Sequence, residues 1–163
     1  MTDREFFIKT AGDETPRFER VFKSLPEDKL DYRPHPKSKS AGELAASMAM
    51  EATGYKRFLT TGVIDFMEEM KAAKPANFEE SAKMFAQGLG EAKNIVEKMT
   101  DADWNSEAKM VEGNKVHWTT TKGDMALGEL LDLIHHRGQL STYIRPMGGK
   151  VPSIYGPSAD SAG

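Results

Sequence analysis

The sequence contains no cysteine, which excludes disulfide bonds, a thiolate zinc site and a cysteine nucleophile. Any thiol chemistry here needs a thiol supplied from outside. The same absence suits a reducing compartment. No apolar run approaches the roughly 18 residues of a membrane span, and the segment Met1-Thr-Asp-Arg-Glu-Phe-Phe7 is charged almost from its start. The expectation is a soluble cytoplasmic protein with no membrane partner. A basic excess is missing too. The 22 Lys and Arg stand well mixed among 25 Asp and Glu, so no basic stripe is available to nucleic acid.

What is present is enough for one domain. A chain of 163 residues can bury about 70% of its unfolded surface, and a single domain over 1–163 is expected, with 150–163 as an extended tail. Ten methionines fit gap-filling in a helical core.

Periodicity predicts four long helices. The first runs from about Asp3 to Ser24 on a stripe of Phe6, Phe7, Phe18, Val21, Phe22 and Leu25, with Pro16 expected to kink or break it. Tyr32-Arg-Pro-His-Pro36 is a connection whose prolines push the residues before them towards extended geometry. Ser38 or Ser40 caps a second helix that ends near Gly62, with Glu43 completing a capping box to Ser40. Residues 63–77 read as a short irregular crossover. Asn77 caps a third helix to about Thr100, its first turn carrying Glu79 and Glu80 where the helix dipole favours acids. Residues 101–123 read as a long β-like or irregular link containing Trp104, Met110, Val111, Val116 and Trp118. The fourth helix is predicted from Asp124, as its N-cap, to Met147, and Gly148-Gly149 ends it. The expected fold is all-α, a four-helix bundle with long crossover connections.

At about 100° per residue, Asp132 and His136 lie within about 40° of each other on the fourth helix, on the side that carries Met125, Leu140, Tyr143 and Met147. His135 points away. Ser47, Glu51 and Phe58 share a face of the second helix with Leu44, Gly54 and Tyr55. Two acids and an imidazole therefore aim inward from two helices, and buried ionised groups are costly unless they are paired or bound to metal. Three readings are open: a structural hydrogen bond from Glu51 or Asp132 to His136 with Arg137 nearby, a metal held by Asp132, His136 and Glu51, or a metal-free ligand pocket. His35, between prolines, reads as a surface residue, and His117 as part of the crossover link. Gly138 is expected to permit close helix approach, Arg137 to pair with a carboxylate, and Gln139 to bond buried backbone. Leu127, Leu131 and Ile134 lie off the inward stripe, and exposed apolar residues of that kind suggest a homodimer.

Three stretches, Tyr32-Arg-Pro-His-Pro-Lys-Ser-Lys-Ser-Ala-Gly-Glu-Leu44, His136-Arg-Gly-Gln-Leu-Ser-Thr-Tyr143 and Pro152-Ser-Ile-Tyr-Gly-Pro157, resemble the DinB/YfiT-like family over nearly the whole chain. The resemblance implies a four-helix bundle, often homodimeric, with a divalent metal held by three histidines in a central cavity. It also implies relatives that are thiol S-transferases or thiol-dependent isomerases. Carried over by position, the ligands are Ser47, Asp132 and His136, so two of the three histidines are replaced. A carboxylate at 132 shifts preference towards harder ions such as Mn²⁺ or Fe²⁺ over Ni²⁺ or Zn²⁺, and Glu51 stands one turn from Ser47 to fill the gap. Tyr55, Phe58, Gln139 and Tyr143 are expected to line the cavity, with a small molecule or low-molecular-weight thiol as partner. Two functions follow as expectations. One is a divergent metal-dependent transferase or hydrolase using a thiol; the other is a non-catalytic, dimeric, small-ligand-binding or stress-associated bundle that has lost the metal.

Overall fold

A computed structural model describes residues 1–161 and places four long helices in a bundle: α1 (Asp3–Lys23), α2 (Ala41–Thr61), α4 (Phe78–Lys98) and α6 (Lys122–Ile144). Between them lie two short helices, α3 (Phe66–Glu69) and α5 (Asp101–Trp104), and three strands, β1 (Val63–Asp65), β2 (Glu107–Glu112) and β3 (Lys115–Thr121). The chain is thus predominantly helical but not the pure bundle expected from periodicity. The link read as β-like or irregular supplies β2 and β3, and the crossover read as irregular supplies β1, in one sheet of order β1-β2-β3 with β1 parallel to β2 and β2 antiparallel to β3. Gly113, at φ 58°, makes the tight turn between β2 and β3. The partner of β1 lies more than 40 residues further along the chain, beyond the reach of local pattern.

The helix starts follow the side chains that satisfy free N–H groups. Ser40 and Glu43 form the expected capping box, and Asn77 caps α4 through the Glu80 amide. The expected N-cap at Asp124 is displaced to Thr121, whose hydroxyl accepts from the Asp124 amide. The shift arises because β3 runs directly into α6. Asp124 lies inside the first turn, where its carboxylate accepts from Thr120 Oγ1 at 2.8 Å and still faces the positive end of the helix dipole.

Pro16 does not break α1. Phe7 and Ala11 before it and Phe18, Val21 and Phe22 after it are all buried on one side of a continuous helix. That packing outweighs the roughly 3 kcal/mol a mid-helix proline costs.

Small residues set the distance between α2 and α4. A Cβ at Gly88 would lie 2.5 Å from the backbone of Ala52, so only glycine lets the two helices meet there. Gly138, expected to serve such a contact, faces open space. The α2–α6 adjacency that the site requires is fixed by Tyr55, whose buried hydroxyl donates to the Ala126 carbonyl at 2.9 Å.

Arg137 turns away from the acids of the α2–α6 face. It pairs with Glu14 of α1, both almost fully buried, and donates to the Tyr155 hydroxyl at 2.7 Å. That hydroxyl donates in turn to Glu14 Oε2 at 3.1 Å, tying the tail from Lys150 onwards to α1 and α6. The tail is extended, and Arg20 donates to the Ser153 carbonyl at 2.9 Å. Of the three apolar residues off the inward stripe, Leu127 and Ile134 are partly buried against the core, whereas Leu131 is 62% exposed. None of the described helices is long and apolar enough to cross a membrane.

Candidate metal centre

Helical spacing brings the acids and the imidazole together. Glu51 on α2 and Asp132 and His136 on α6 each offer one ligand atom, and these three atoms all lie within 4.8 Å of one another. His136 Nε2 is 3.2 Å from Asp132 Oδ2. Two donors bound to one ion at about 2.0–2.2 Å sit roughly 3.0–3.4 Å apart, so the spacing accommodates a shared ion. Glu51 and His136 are half-buried and Asp132 is exposed.

The hydrogen bonds around His136 leave it one partner short of a match. Its Nδ1 lies 2.8 Å from Gln139 Oε1, an acceptor, while Nε2 faces the Asp132 carboxylate, also an acceptor. The Gln139 amide is oriented by its other end, where Nε2 lies 2.9 Å from His135 Nε2. A neutral imidazole has one N–H and cannot satisfy both acceptors. With the Gln139 amide in this orientation, a second proton or a cation between Nε2 and Asp132 resolves the mismatch.

Glu51 carries the same signature. Its Oε1 is buried and has no hydrogen-bond partner. Burial first, and then the charges of Glu129 and Asp132, push its carboxyl up to about 9, against a smaller opposing effect of Lys39. Glu129, three residues before Asp132 on α6, is pushed up to about 7 by burial and by Asp132 and Glu69. Burial also raises Glu69, on α3. Of the two structural contacts to His136 that the sequence leaves open, the one from Asp132 is present at 3.2 Å and the one from Glu51 is not made, while Arg137, expected nearby, serves the far side of α6.

Above the triad opens a cavity of about 700 Å³. Tyr55 and Phe58 line it as expected. Gln139 and Tyr143 do not: Gln139 is committed to the two histidines rather than to backbone, and Tyr143 packs edge-on against Tyr32 at 5.7 Å. Ser47 is on the wall, but its hydroxyl accepts from Lys39 Nζ at 2.6 Å. His35 is exposed and bonds the Lys37 amide, and His117 lies on β3 beside Glu112.

Several lining residues escape a reading by helix faces. Glu129 carries a signal, since it stands at i−3 from Asp132 and i−7 from His136 on one face of α6. Lys39 precedes the α2 cap and gives none. Ile64, Phe66, Glu69 and Met70 come from the crossover and Met110 from β2, and only the tertiary arrangement brings them over the triad.

The chain has relatives in sequence and in fold. A model of the DinB family matches residues 7–162. No curated protein matches the chain. Among solved structures, a DinB-like protein from Bacillus subtilis superposes with a TM-score of 0.67 at 18% identity, covering 87% of this chain and 91% of its own. A DinB-like protein from Bacillus cereus gives 0.71 at 16% identity, covering 93% and 97%. A mycothiol-dependent maleylpyruvate isomerase gives 0.58 at 11% identity, covering 90% of this chain but 61% of its own. At these identities the likeness is one of fold.

Proposed function

Because the chain belongs to the DinB family, we propose that it is a divalent-metal enzyme of small organic molecules, holding its ion through Glu51, Asp132 and His136. The carrying observation is the mismatch at the triad, where His136 Nε2 faces the Asp132 carboxylate and a buried Glu51 oxygen has no partner. One imidazole and two carboxylates form a donor set for Mn²⁺ or Fe²⁺ ahead of Zn²⁺ or Ni²⁺. When bound, the ion would supply Lewis acidity that lowers the pKa of a thiol or water molecule.

The chain's own groups do the rest. Gln139 holds Nδ1 of His136 and leaves Nε2 free to ligate. Tyr55, Met50 and Phe58 give the cavity an apolar wall. Lys39 places an ammonium group beside Ser47, where it can meet an anionic group of the substrate. With no cysteine in the chain, a thiol-dependent transfer needs a small thiol as co-substrate. The mycothiol-dependent neighbour supports that class of reaction.

The test is calorimetric titration of untagged, chelator-treated protein with Mn²⁺, Fe²⁺, Ni²⁺ and Zn²⁺. One ion per chain is expected, with binding abolished in Asp132→Ala and His136→Ala and weakened in Glu51→Ala. Absence of binding by the parent protein overturns the reading.

The Lys39 contact favours a second reading, a metal-free ligand-binding bundle. Its ammonium already offsets part of the acidic charge around Glu51. On that reading Lys39→Ala, not chelation, abolishes ligand binding.

A further inference from the structure

The wall of the cavity beyond the triad has its own chemistry. Glu129 reaches it from α6 and Glu69 from α3, close enough for the charge of Glu69 to act on Glu129. Both are half-buried, and among the described residues neither side chain makes a hydrogen bond or a salt bridge. Arg57 offsets part of the cost of burying Glu69, but neither it nor Lys71 forms a salt bridge with that carboxylate. Arg57 lies 3.8 Å from Glu68 and Lys71 lies 2.8 Å from it, both outside the cavity. Nor do the two lysines of the lining neutralise the pair. Lys39 is committed to Ser47 beside the triad, and Lys74 forms no salt bridge among the described residues.

These carboxylates stand in a cavity that is partly open to solvent. Phe58, Met50 and Met110 line it with them, as do the exposed Phe66 and Met70, and a space of about 700 Å³ falls within the range of small-molecule sites. Carboxylates left unpaired beside apolar walls carry a desolvation cost that a bound cation removes. Aromatic and thioether groups accept an organic cation with little loss of its solvation, because rings attract it electrostatically and sulfur is polarisable. A carboxylate-bearing ligand entering the same end would meet two like charges.

We propose that Glu69 and Glu129 receive the protonated amine of an organic ligand whose apolar body lies against Phe58, Phe66 and the methionines. This rests on the reading of the cavity as the substrate site and names the substrate class: an amine whose other end reaches towards Asp132 and His136. The ammonium pocket then lies beside the triad, with Glu129 one turn before Asp132 on α6, so one ligand can engage both.

The test uses three probes of similar size, 2-phenylethylamine, 2-phenylethanol and 3-phenylpropionate, titrated by calorimetry into the full chain with and without Mn²⁺. The amine is expected to bind about ten-fold tighter than the alcohol, as one charge-assisted contact predicts, with the carboxylate weakest. Glu69→Gln and Glu129→Gln should each remove most of that preference, read as the ratio of amine to alcohol affinity. The preference is read on the unmodified protein, so it does not depend on how a variant folds. Equal binding of amine and alcohol, no binding of any probe, or an amine preference unchanged in both glutamine variants overturns the proposal. Repeating the series on His136→Ala separates it from the metal reading. Amine preference in a parent protein that takes no metal sinks the metal reading alone, and metal binding without amine preference sinks this one alone.

Discussion

Gln139 lies one turn beyond His136 on α6, and its Oε1 is 2.8 Å from the Nδ1 of that ring. The contact decides which nitrogen is free. With Nδ1–H donating to the amide oxygen, the lone pair of Nε2 is directed towards Asp132, where it can serve a metal.

The first prediction follows from that bond. Gln139→Leu keeps all three proposed ligands but removes the acceptor that fixes the tautomer. Metal affinity should fall about 10- to 100-fold with one ion per chain retained, as read by competitive titration against a chelating dye. An unchanged affinity would show that Gln139 only packs the helix.

Ser47 gives the second. Ser47→His places an imidazole one turn from Glu51 on α2, facing His136 across the helix interface. Two nitrogen donors should raise Zn²⁺ and Ni²⁺ affinity by at least about ten-fold relative to Mn²⁺. Lys39 loses its acceptor in this variant, so Lys39→Ala alone is the control. A variant with the parent's metal preference would show that position 47 does not reach the ion.

pH supplies the third. Burial, aided by Glu129 and Asp132, lifts Glu51 to about 9 from its ordinary 4.5. Between those values the folded, metal-free protein holds a proton that the unfolded chain has released. The folded state binds more protons, so stability falls as pH rises through the window and levels off above it. Glu51→Gln lacks this dependence and should gain on the parent steadily as pH increases. Urea midpoints measured in chelator from about pH 5 to 9 give the comparison. Metal binding displaces the same proton, so apparent affinity should climb with pH over that range. Parallel pH profiles for parent and variant would refute the assignment.

The buried pair of Glu14 and Arg137 carries the fourth. Arg137→Met leaves Glu14 buried beside Arg17 alone and should cost about 3–5 kcal/mol in denaturant unfolding. Tyr155→Phe removes only the bridging hydroxyl and should cost about 1 kcal/mol. The double change Glu14→Gln with Arg137→Met should recover much of the loss, because the one charge left without its partner, Arg17, is partly exposed to solvent. Equal losses in the single and double variants would place the cost in packing instead.

The fifth concerns assembly. We expect a homodimer, since Leu131 is 62% exposed on α6 and Met67 on α3 and Val116 and Trp118 on β3 are exposed as well. Sedimentation at micromolar concentration should give twice the 18.1 kDa chain mass. A single 18.1 kDa species removes the expectation.

The long helices and the triad are legible in the sequence because both depend on local periodicity. Asp132 and His136 are one turn apart, and Glu51 interrupts an apolar face, so spacing places the three near one another, although Asp132, expected inward, is exposed. Glu129 has comparable spacing, but a lone acid on a helix is ordinarily solvated, and only the approach of α3 encloses it. The β-like pattern of 101–123 is legible, but the sheet that it joins is not. The pairing of β1 with β2 joins Val63 to Lys109 across the whole of α4, and no local pattern encodes it. Pro16 shows the opposite failure, where a strong local rule yields to burial on both sides of the residue. The helix face of Gln139 and Tyr143 points to the cavity, yet their actual partners, two histidines and Tyr32, hold them elsewhere.

The crossover after α2 supplies Ile64, Phe66, Glu69 and Met70 to the cavity, whereas every member of the triad sits on a bundle helix. The two tasks are thus encoded in separable pieces of chain. Changes confined to residues 63–74 can reshape what the protein accepts while the helices that hold the ligands keep their register. Exchanging that segment between relatives is then a direct route to altered selectivity, in nature as well as at the bench.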